Sequence, residues 1–109
     1  MPIAYKVLGQ SAPGATTNTD VYTVPAATQV VISSIVVCNR GASATTFRIA
    51  VRPNGAALAN QHYIGSDTAI AANDIVGLSL GITVDAADVI TVYAGNANLS
   101  FSLFGTEIS

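Results

Sequence analysis

The chain contains very little charge. Only 9% of its 109 residues are Asp, Glu, Lys or Arg, against roughly 25% in an ordinary soluble domain. The four basic and six acidic residues give a formal net charge of -2. No cluster of Lys or Arg is present to neutralise phosphates, which argues against nucleic-acid binding. So few titratable groups also argue against most enzyme mechanisms and favour a structural or assembly protein.

Cysteine, tryptophan and histidine are nearly missing as well. Cys38 is the only cysteine, so no disulfide can form within the chain, and its apolar setting predicts a small buried hydrophobe. With His62 as the only histidine, a zinc site lacks donors. Ser66 and Asp67 follow His62 closely, but such neighbours often occur by chance, so we expect an interface or strand-edge histidine. The absence of tryptophan weakens the case for a glycan-binding platform.

Long hydrophobic runs are also absent. Half of the residues are hydrophobic, yet the longest apolar stretch, residues 30–38, is interrupted by two serines. It is about half of the ~20 residues that a membrane-spanning helix needs. The first ten residues include Lys6 and no apolar signal core, which predicts no secretory export by that route. We therefore expect no transmembrane helix and no membrane partner.

What the chain does contain is a series of short strand-like segments. Val, Ile, Phe and Tyr alternate with polar residues between turns rich in Gly, Pro and Asn, with no sustained 3.6-residue period. About eight strands are predicted, at residues 4–10, 20–24, 29–39, 45–52, 62–64, 74–80, 88–94 and 98–104. The expected fold class is all-β, an antiparallel β-sandwich of jelly-roll type forming a single domain over residues 1–109. Residues 1–19 are expected to supply its first strand and a flexible loop or arm.

Two of these predicted strands, residues 29–39 and 45–52, show how their side chains should be oriented. Residues 29–39 are the most hydrophobic and are expected in the middle of a sheet, with Val30, Ile32 and Val36 on one face. Residues 45–52 alternate cleanly, so that one face packs inward and the other carries Arg48 and Arg52. Residues 67–73 are expected to be irregular. Because several strands are apolar on both faces, one face must look outward, and another copy of the chain is its simplest cover.

Aspartates are the remaining candidates for a ligand site. Asp67, Asp74, Asp85 and Asp88 could in principle supply oxygen ligands to calcium. No EF-hand spacing accompanies them, and three stand at predicted strand boundaries, so turn capping is the preferred interpretation. The glycines show neither a phosphate-loop nor a dinucleotide pattern. No catalytic residue, metal ligand or cofactor is predicted.

The arginines admit two interpretations, which the sequence leaves open. Arg48 and Arg52 are either solvated or paired with Asp67, Asp74 or Glu107. Alternatively they dock to carboxylates on a partner surface, for which a planar guanidinium is suited. Together with aromatic residues expected to be exposed, they form the predicted partner interface: Tyr5, Arg48, Arg52, Tyr63 and Phe104.

Seven segments, spread over nearly the whole chain, resemble segments of known proteins. They are YKVLGQ at 5–10, YTVPA at 22–26, VCNR at 37–40, FRIAV at 47–51, HYI at 62–64, LGIT at 80–83 and FGTEI at 104–108. In order and spacing they resemble a group of small virion proteins of tailed bacteriophages, cyanophages among them. The resemblance implies a structural component of the phage particle and no catalytic residues.

Combined with the charge-poor, two-faced strands, the resemblance leads to a specific expectation. The chain is expected to be a capsid cement or decoration protein that stabilises the head by bridging subunits of the major capsid protein. It is expected to form a homotrimer and to reside in the virion after assembly in the host cytoplasm. The alternative is a tail, fibre or baseplate module that contacts tail proteins or a host glycan.

Overall fold

A computed structural model describes residues 2–79 and 81–109, and this part of the chain forms nine β-strands and no α-helix. The strands are β1 Ile3–Ser11, β2 Thr19–Thr23, β3 Gln29–Asn39, β4 Thr45–Arg52, β5 Tyr63–Ile70, β6 Ile75–Leu78, β7 Ile82–Val84, β8 Val89–Ala94 and β9 Leu99–Ile108. Single turns of 3-10 helix at Pro53–Gly55 and Asn60–His62 lie between β4 and β5. None of the helical segments in the described ranges has the length and apolar character needed to cross a membrane.

The strands form two antiparallel sheets. Sheet A has the order β1-β9-β3, and β6 and β7 both pair with successive parts of β3. Sheet B has the order β2-β8-β4-β5. Because β6 and β7 share one strand position, the order is that of a jelly roll with eight positions. The predicted all-β antiparallel sandwich is confirmed, with β7 as a short strand that the sequence pattern did not indicate.

The hydrophobic core lies between the two sheets. Sheet A contributes Val30, Ile32, Ile35, Val37, Leu99, Phe101 and Leu103, and sheet B contributes Phe47, Ile49, Ile90, Val92 and Ala94. The rings of Phe47 and Phe101 meet edge to face across the sheets, with centroids 6.2 Å apart. The alternation predicted for residues 45–52 is therefore confirmed, and β9 alternates in the same way.

Strand β3 departs from the predicted alternation in its middle. It lies between β9 and the β6 and β7 pair, as predicted for the most hydrophobic strand. Its pairing with β9 shifts register between Ile32 and Ser34, and this bulge reverses the alternation. Residues 35, 37 and 39 are buried beyond it, whereas Val36 and Cys38 are half-exposed on the outward side. The predictions that Val36 shares a face with Val30 and that Cys38 is buried are therefore wrong.

Strand β5 is longer than the sequence indicates. One strand, Tyr63–Ile70, occupies the region where a strand at residues 62–64 and an irregular segment at 67–73 were expected, and only residues 71–73 of that segment lie outside a strand. Two register shifts against β4 and a φ of 49° at Asp67 interrupt its alternation, which hides the strand from a period-two pattern. The predicted strand at 74–80 is observed as Ile75–Leu78, and its expected end at Leu80 lies outside the described residues.

Strand β1 forms an edge of sheet A. Eight of its residues pair with β9 of the same chain, and residues 12–18 connect it to β2. Leu8 is its only buried residue. The strand lies close to β2 at Gly9, where a Cβ atom would contact the Val21 carbonyl oxygen. Glycine at this position therefore allows the close approach of the two sheets at this edge.

Candidate interaction surfaces

The outward side of sheet A has no charged side chain on its described strands. Paired residues of antiparallel strands point to the same side of a sheet, so the register defines the face. We call this surface outer face A; its members are Ile3, Tyr5, Val7, Gln10, Gln29, Val31, Ser34, Val36, Cys38, Ile75, Gly77, Thr83, Ser100, Ser102, Phe104, Thr106 and Ile108. Such a surface offers a partner hydrophobic contact and no ion pairs.

Large hydrophobic side chains are concentrated on outer face A. Of the six that are exposed in the described residues, five belong to it: Ile3, Tyr5, Val7, Val31 and Ile75. Tyr5 is 84% exposed and Ile75 66%. The sixth, Ile64, lies on β5 in sheet B. Isolated exposed hydrophobic residues are common, but a grouping on one face marks a candidate interaction surface.

Six large hydrophobic side chains of outer face A, four of them exposed and two half-buried, form one contiguous group beside the β1 edge. In register, Ile3 lies opposite Ile108, Tyr5 opposite Thr106 and Val7 opposite Phe104. Thr106 in turn lies opposite Val31 on β3. We call the group the apolar patch; it consists of Ile3, Tyr5, Val7, Val31, Phe104 and Ile108.

The two charged residues on the strands of sheet A point to its other side. Lys6 Nζ donates a hydrogen bond to Glu107 Oε1 at 3.0 Å, and the Tyr22 hydroxyl donates one to Glu107 Oε2 at 2.5 Å. These bonds, the one from Tyr22 first, lower the pKa of Glu107, while burial and the bond to Glu107 raise the pKa of Tyr22. The cluster joins β1 and β9 to β2 in sheet B, a contact that the sequence pattern gave no signal for.

The outward side of sheet B, which we call outer face B, carries charges that pair with one another. Arg48 Nε donates to Asp67 Oδ1 at 2.7 Å, and the guanidinium carbon of Arg48 lies 4.4 Å from the centroid of the Tyr93 ring. The hydrogen bond to Asp67 raises the pKa of Arg48. Pairing with Asp67 was one of the two interpretations left open for Arg48, and the structure confirms it.

Arg52 is held in a denser network on the same face. Its Nη2 donates to Asp20 Oδ1 at 2.9 Å, its Nε to Thr91 Oγ1 at 3.0 Å and its Nη1 to the Ala56 carbonyl at 3.0 Å. The Thr91 hydroxyl donates to the same Asp20 oxygen at 2.9 Å. Arg52 is thus paired, but with Asp20 rather than with any of the three carboxylates named from the sequence. Both arginines have donors already engaged within the chain, which leaves less of each guanidinium for a partner.

The structure divides the five predicted interface residues between opposite surfaces. Tyr5 and Phe104 lie on outer face A. Arg48, Arg52 and Tyr63 lie on outer face B, because Tyr63 pairs with Ala50 between the two arginines. They therefore do not form one contact surface, and their contact with a partner stays a prediction.

The aspartates at strand boundaries cap turns, as predicted. Asp74 Oδ1 accepts from the Ile75 amide at 2.8 Å. Asp85 Oδ1 accepts from the Ala86 amide at 2.8 Å, and Asp88 Oδ2 accepts from the Asp85 amide at 2.9 Å. Across residues 2–79 and 81–109, no group of three or more His, Cys, Asp or Glu side chains is arranged to hold a metal ion.

His62 is buried beside the start of the edge strand β5. It is 8% exposed, and its Nδ1 accepts a hydrogen bond from the Ala59 amide at 3.0 Å.

Two open grooves occur elsewhere on the surface. One, of about 330 Å³, is lined by Gln10, Ser11, Ala12, Ser100, Phe101 and Ser102, none of them titratable. The other, of about 400 Å³, is lined by Ala27, Thr28, Gln29, Asp85, Ile108 and Ser109.

Comparison with known proteins does not identify a family for this chain. No protein-family model matches the chain, and no curated protein is significantly similar to it. The functional argument therefore depends on the surfaces described above, and chiefly on outer face A.

Proposed function

We propose that the chain is a structural subunit of a bacteriophage virion, and specifically a capsid cement protein that bridges subunits of the major capsid protein. The observation that carries the proposal is outer face A, whose described residues include five exposed large hydrophobic side chains and no charged one. A surface of this kind suits a protein that is covered in its working state. The resemblance of seven sequence segments to small phage virion proteins supports the same assignment.

The proposed action is mechanical and needs no catalytic step. A cement protein buries surface across neighbouring capsid subunits, and the free energy of that binding opposes their separation by the pressure of packaged DNA. A rigid sandwich suits this task. Its core residues from both sheets are almost fully buried, so load applied to one sheet passes to the other through packed side chains.

Particle composition and structure test the proposal directly. The copy number of the chain in purified particles of the phage that encodes it can be counted by quantitative mass spectrometry, and the particles can be imaged by cryo-electron microscopy. We expect hundreds of copies per particle and density on the capsid surface. A few copies with density only at the neck or tail would assign the chain to the alternative, a tail, fibre or baseplate module. Absence from purified particles would contradict both.

A further inference from the structure

Outer face A has the properties of a surface that pairs with itself. We infer that it packs face to face on outer face A of a second copy of this chain, related by a two-fold axis. The inference rests on the proposed function only in taking outer face A as the assembly surface. Three observations argue for this occupant: the charge of the face, the character of the other faces, and its size.

The first argument is electrostatic. Burying a charged group without a partner is costly, so an uncharged surface is best covered by another uncharged surface. The strands of outer face A contribute Ile, Val, Tyr, Phe, Ser, Thr, Gln, Cys and Gly to it and no charged side chain. A second copy of the same face meets that requirement without any adjustment.

The second argument concerns symmetry. A ring of three copies joins two different patches on each subunit, whereas a two-fold pair joins one patch to itself. Outer face B, the other broad face, carries Arg48, Arg52, Asp20 and Asp67. Because outer face A is the one uncharged broad face of the described residues, two uncharged broad faces meet only when outer face A contacts outer face A of another copy. The inferred pair therefore differs from the trimer expected from the sequence.

The third argument is area. Along β9 the outward residues run from Ser100 to Ile108, about 27 Å at ~3.4 Å per residue. Four strand positions at ~4.8 Å give a width of about 19 Å, and hence a flat area of about 500 Å². Side-chain relief raises the accessible area above that figure, towards the roughly 800 Å² per partner of a standard interface. The whole face is needed to reach this size, so Ile75 at one end should be buried along with Tyr5 at the other.

Two tyrosines provide a matched test by size-exclusion chromatography with light scattering and by sedimentation equilibrium on the full chain. We expect the unmodified protein to have twice the 11.0 kDa mass of one chain. Tyr5→Glu on outer face A should weaken the dimer by at least about 100-fold, because it buries an unpaired carboxylate on each copy. Tyr63→Glu on outer face B should leave the dimer intact. Tyr5 is 84% exposed, so its substitution should not disturb the fold, which circular dichroism checks.

Cys38 provides a second readout that does not depend on mass. It is half-exposed on outer face A, so pairing of the faces should shield it from maleimide. We expect its alkylation to slow at least fivefold as protein concentration rises through the dimer dissociation constant, and to stay fast at all concentrations in Tyr5→Glu. Ile75→Glu, at the far end of the face, should weaken the dimer as well.

Four results would overturn the inference: a monomer at all concentrations, a mass of three chains, a dimer broken by Tyr63→Glu, or a dimer unaffected by Tyr5→Glu. Failure of the inference and of the proposed function are distinguishable. A monomer in solution whose Tyr5→Glu variant no longer enters particles would assign outer face A to the capsid protein and leave the virion role in place. A dimer that is absent from purified particles would support the pairing and contradict the virion role.

Discussion

The two outward faces of this sandwich are built from the same strand pattern but differ in how they use charge. On outer face B, Arg48 and Arg52 are paired with Asp67 and Asp20 and also contact Tyr93 and Thr91. On outer face A the described strands present no charged side chain. The difference is the one expected if outer face B stays in water and outer face A is covered by a partner, as we propose.

The inward faces, by contrast, are alike. Both sheets supply fully buried aliphatic residues and one phenylalanine each, Phe101 from sheet A and Phe47 from sheet B. The contrast between the sheets therefore lies in the outward positions alone. In a chain with only ten charged residues, their placement decides which surface remains solvated.

The largest expected effect tests whether the inward faces really are equivalent. Phe101→Ala and Phe47→Ala should each lower the free energy of unfolding by about 3–5 kcal/mol, because each leaves a cavity in the core. The double variant should lose less than the sum, since the rings contact each other. Urea unfolding measures all three. If only one of the two single variants lost little free energy of unfolding, the two sheets would not contribute equally to the core.

A pair of glycines tests how outer face A depends on the position of β1. Gly9→Ala should cost about 1–3 kcal/mol, because its Cβ meets the Val21 carbonyl oxygen. Gly77→Ala is the matched control, since a Cβ there meets nothing within 4 Å. Hydrogen exchange should show faster exchange of β1 amides in Gly9→Ala only. Equal stability of the two variants would contradict the close packing of β1 on β2.

On outer face B, Arg52→Met should lower the free energy of unfolding by about 1 kcal/mol, because Asp20 and the buried Thr91 lose a shared donor. Arg48→Met, whose partner Asp67 is exposed, should cost less. Added salt should reduce both losses, since exposed pairs are screened. Urea unfolding at low and high salt measures the effect, and a larger loss for Arg48→Met would reverse the ranking of the two networks.

The smallest expected effect is a pH dependence of stability at the cluster of Lys6, Tyr22 and Glu107, which lies on the side of sheet A opposite outer face A. The pKa of Glu107 is lowered in the fold by the Tyr22 and Lys6 hydrogen bonds. A carboxyl with a lowered pKa contributes stability above its unfolded pKa of roughly 4.3, and this contribution is lost as the pH falls through the folded pKa. The free energy of unfolding, measured between pH 6 and pH 3, should therefore decrease less steeply with falling pH for Glu107→Gln than for the unmodified protein. Identical slopes would contradict the shift.

The sequence was most informative where the alternation is regular. The predicted bounds of β3 and β4, residues 29–39 and 45–52, coincide with those observed, because long runs of Val, Ile and Phe end at clear turns. Bulges account for the main errors. The register shift after Ile32 turns Cys38 outward, and the shifts in β5 conceal that strand. A bulge depends on the partner strand, so no pattern within one strand predicts it.

The candidate surface was predictable only in part. The sequence identifies Tyr5 and Phe104 as aromatic residues expected to be exposed, and Arg48 and Arg52 as residues on one face of one strand. Their assignment to opposite faces requires knowledge of which strand joins which sheet. The contact between Tyr22 and Glu107 spans most of the chain and has no local signal.

The sequence by itself determined the all-β class, the absence of a disulfide within the chain and the shortage of charge, because these follow from composition and from the period-two pattern of apolar residues. Only the tertiary structure decided where the few charges are placed. Strand order and register direct Lys6 and Glu107 towards sheet B and gather the remaining strand charges on outer face B. The physical reason is that a strand sets only the alternation of its own side chains, whereas pairing between strands distant in sequence sets which side faces the core and which residues become neighbours.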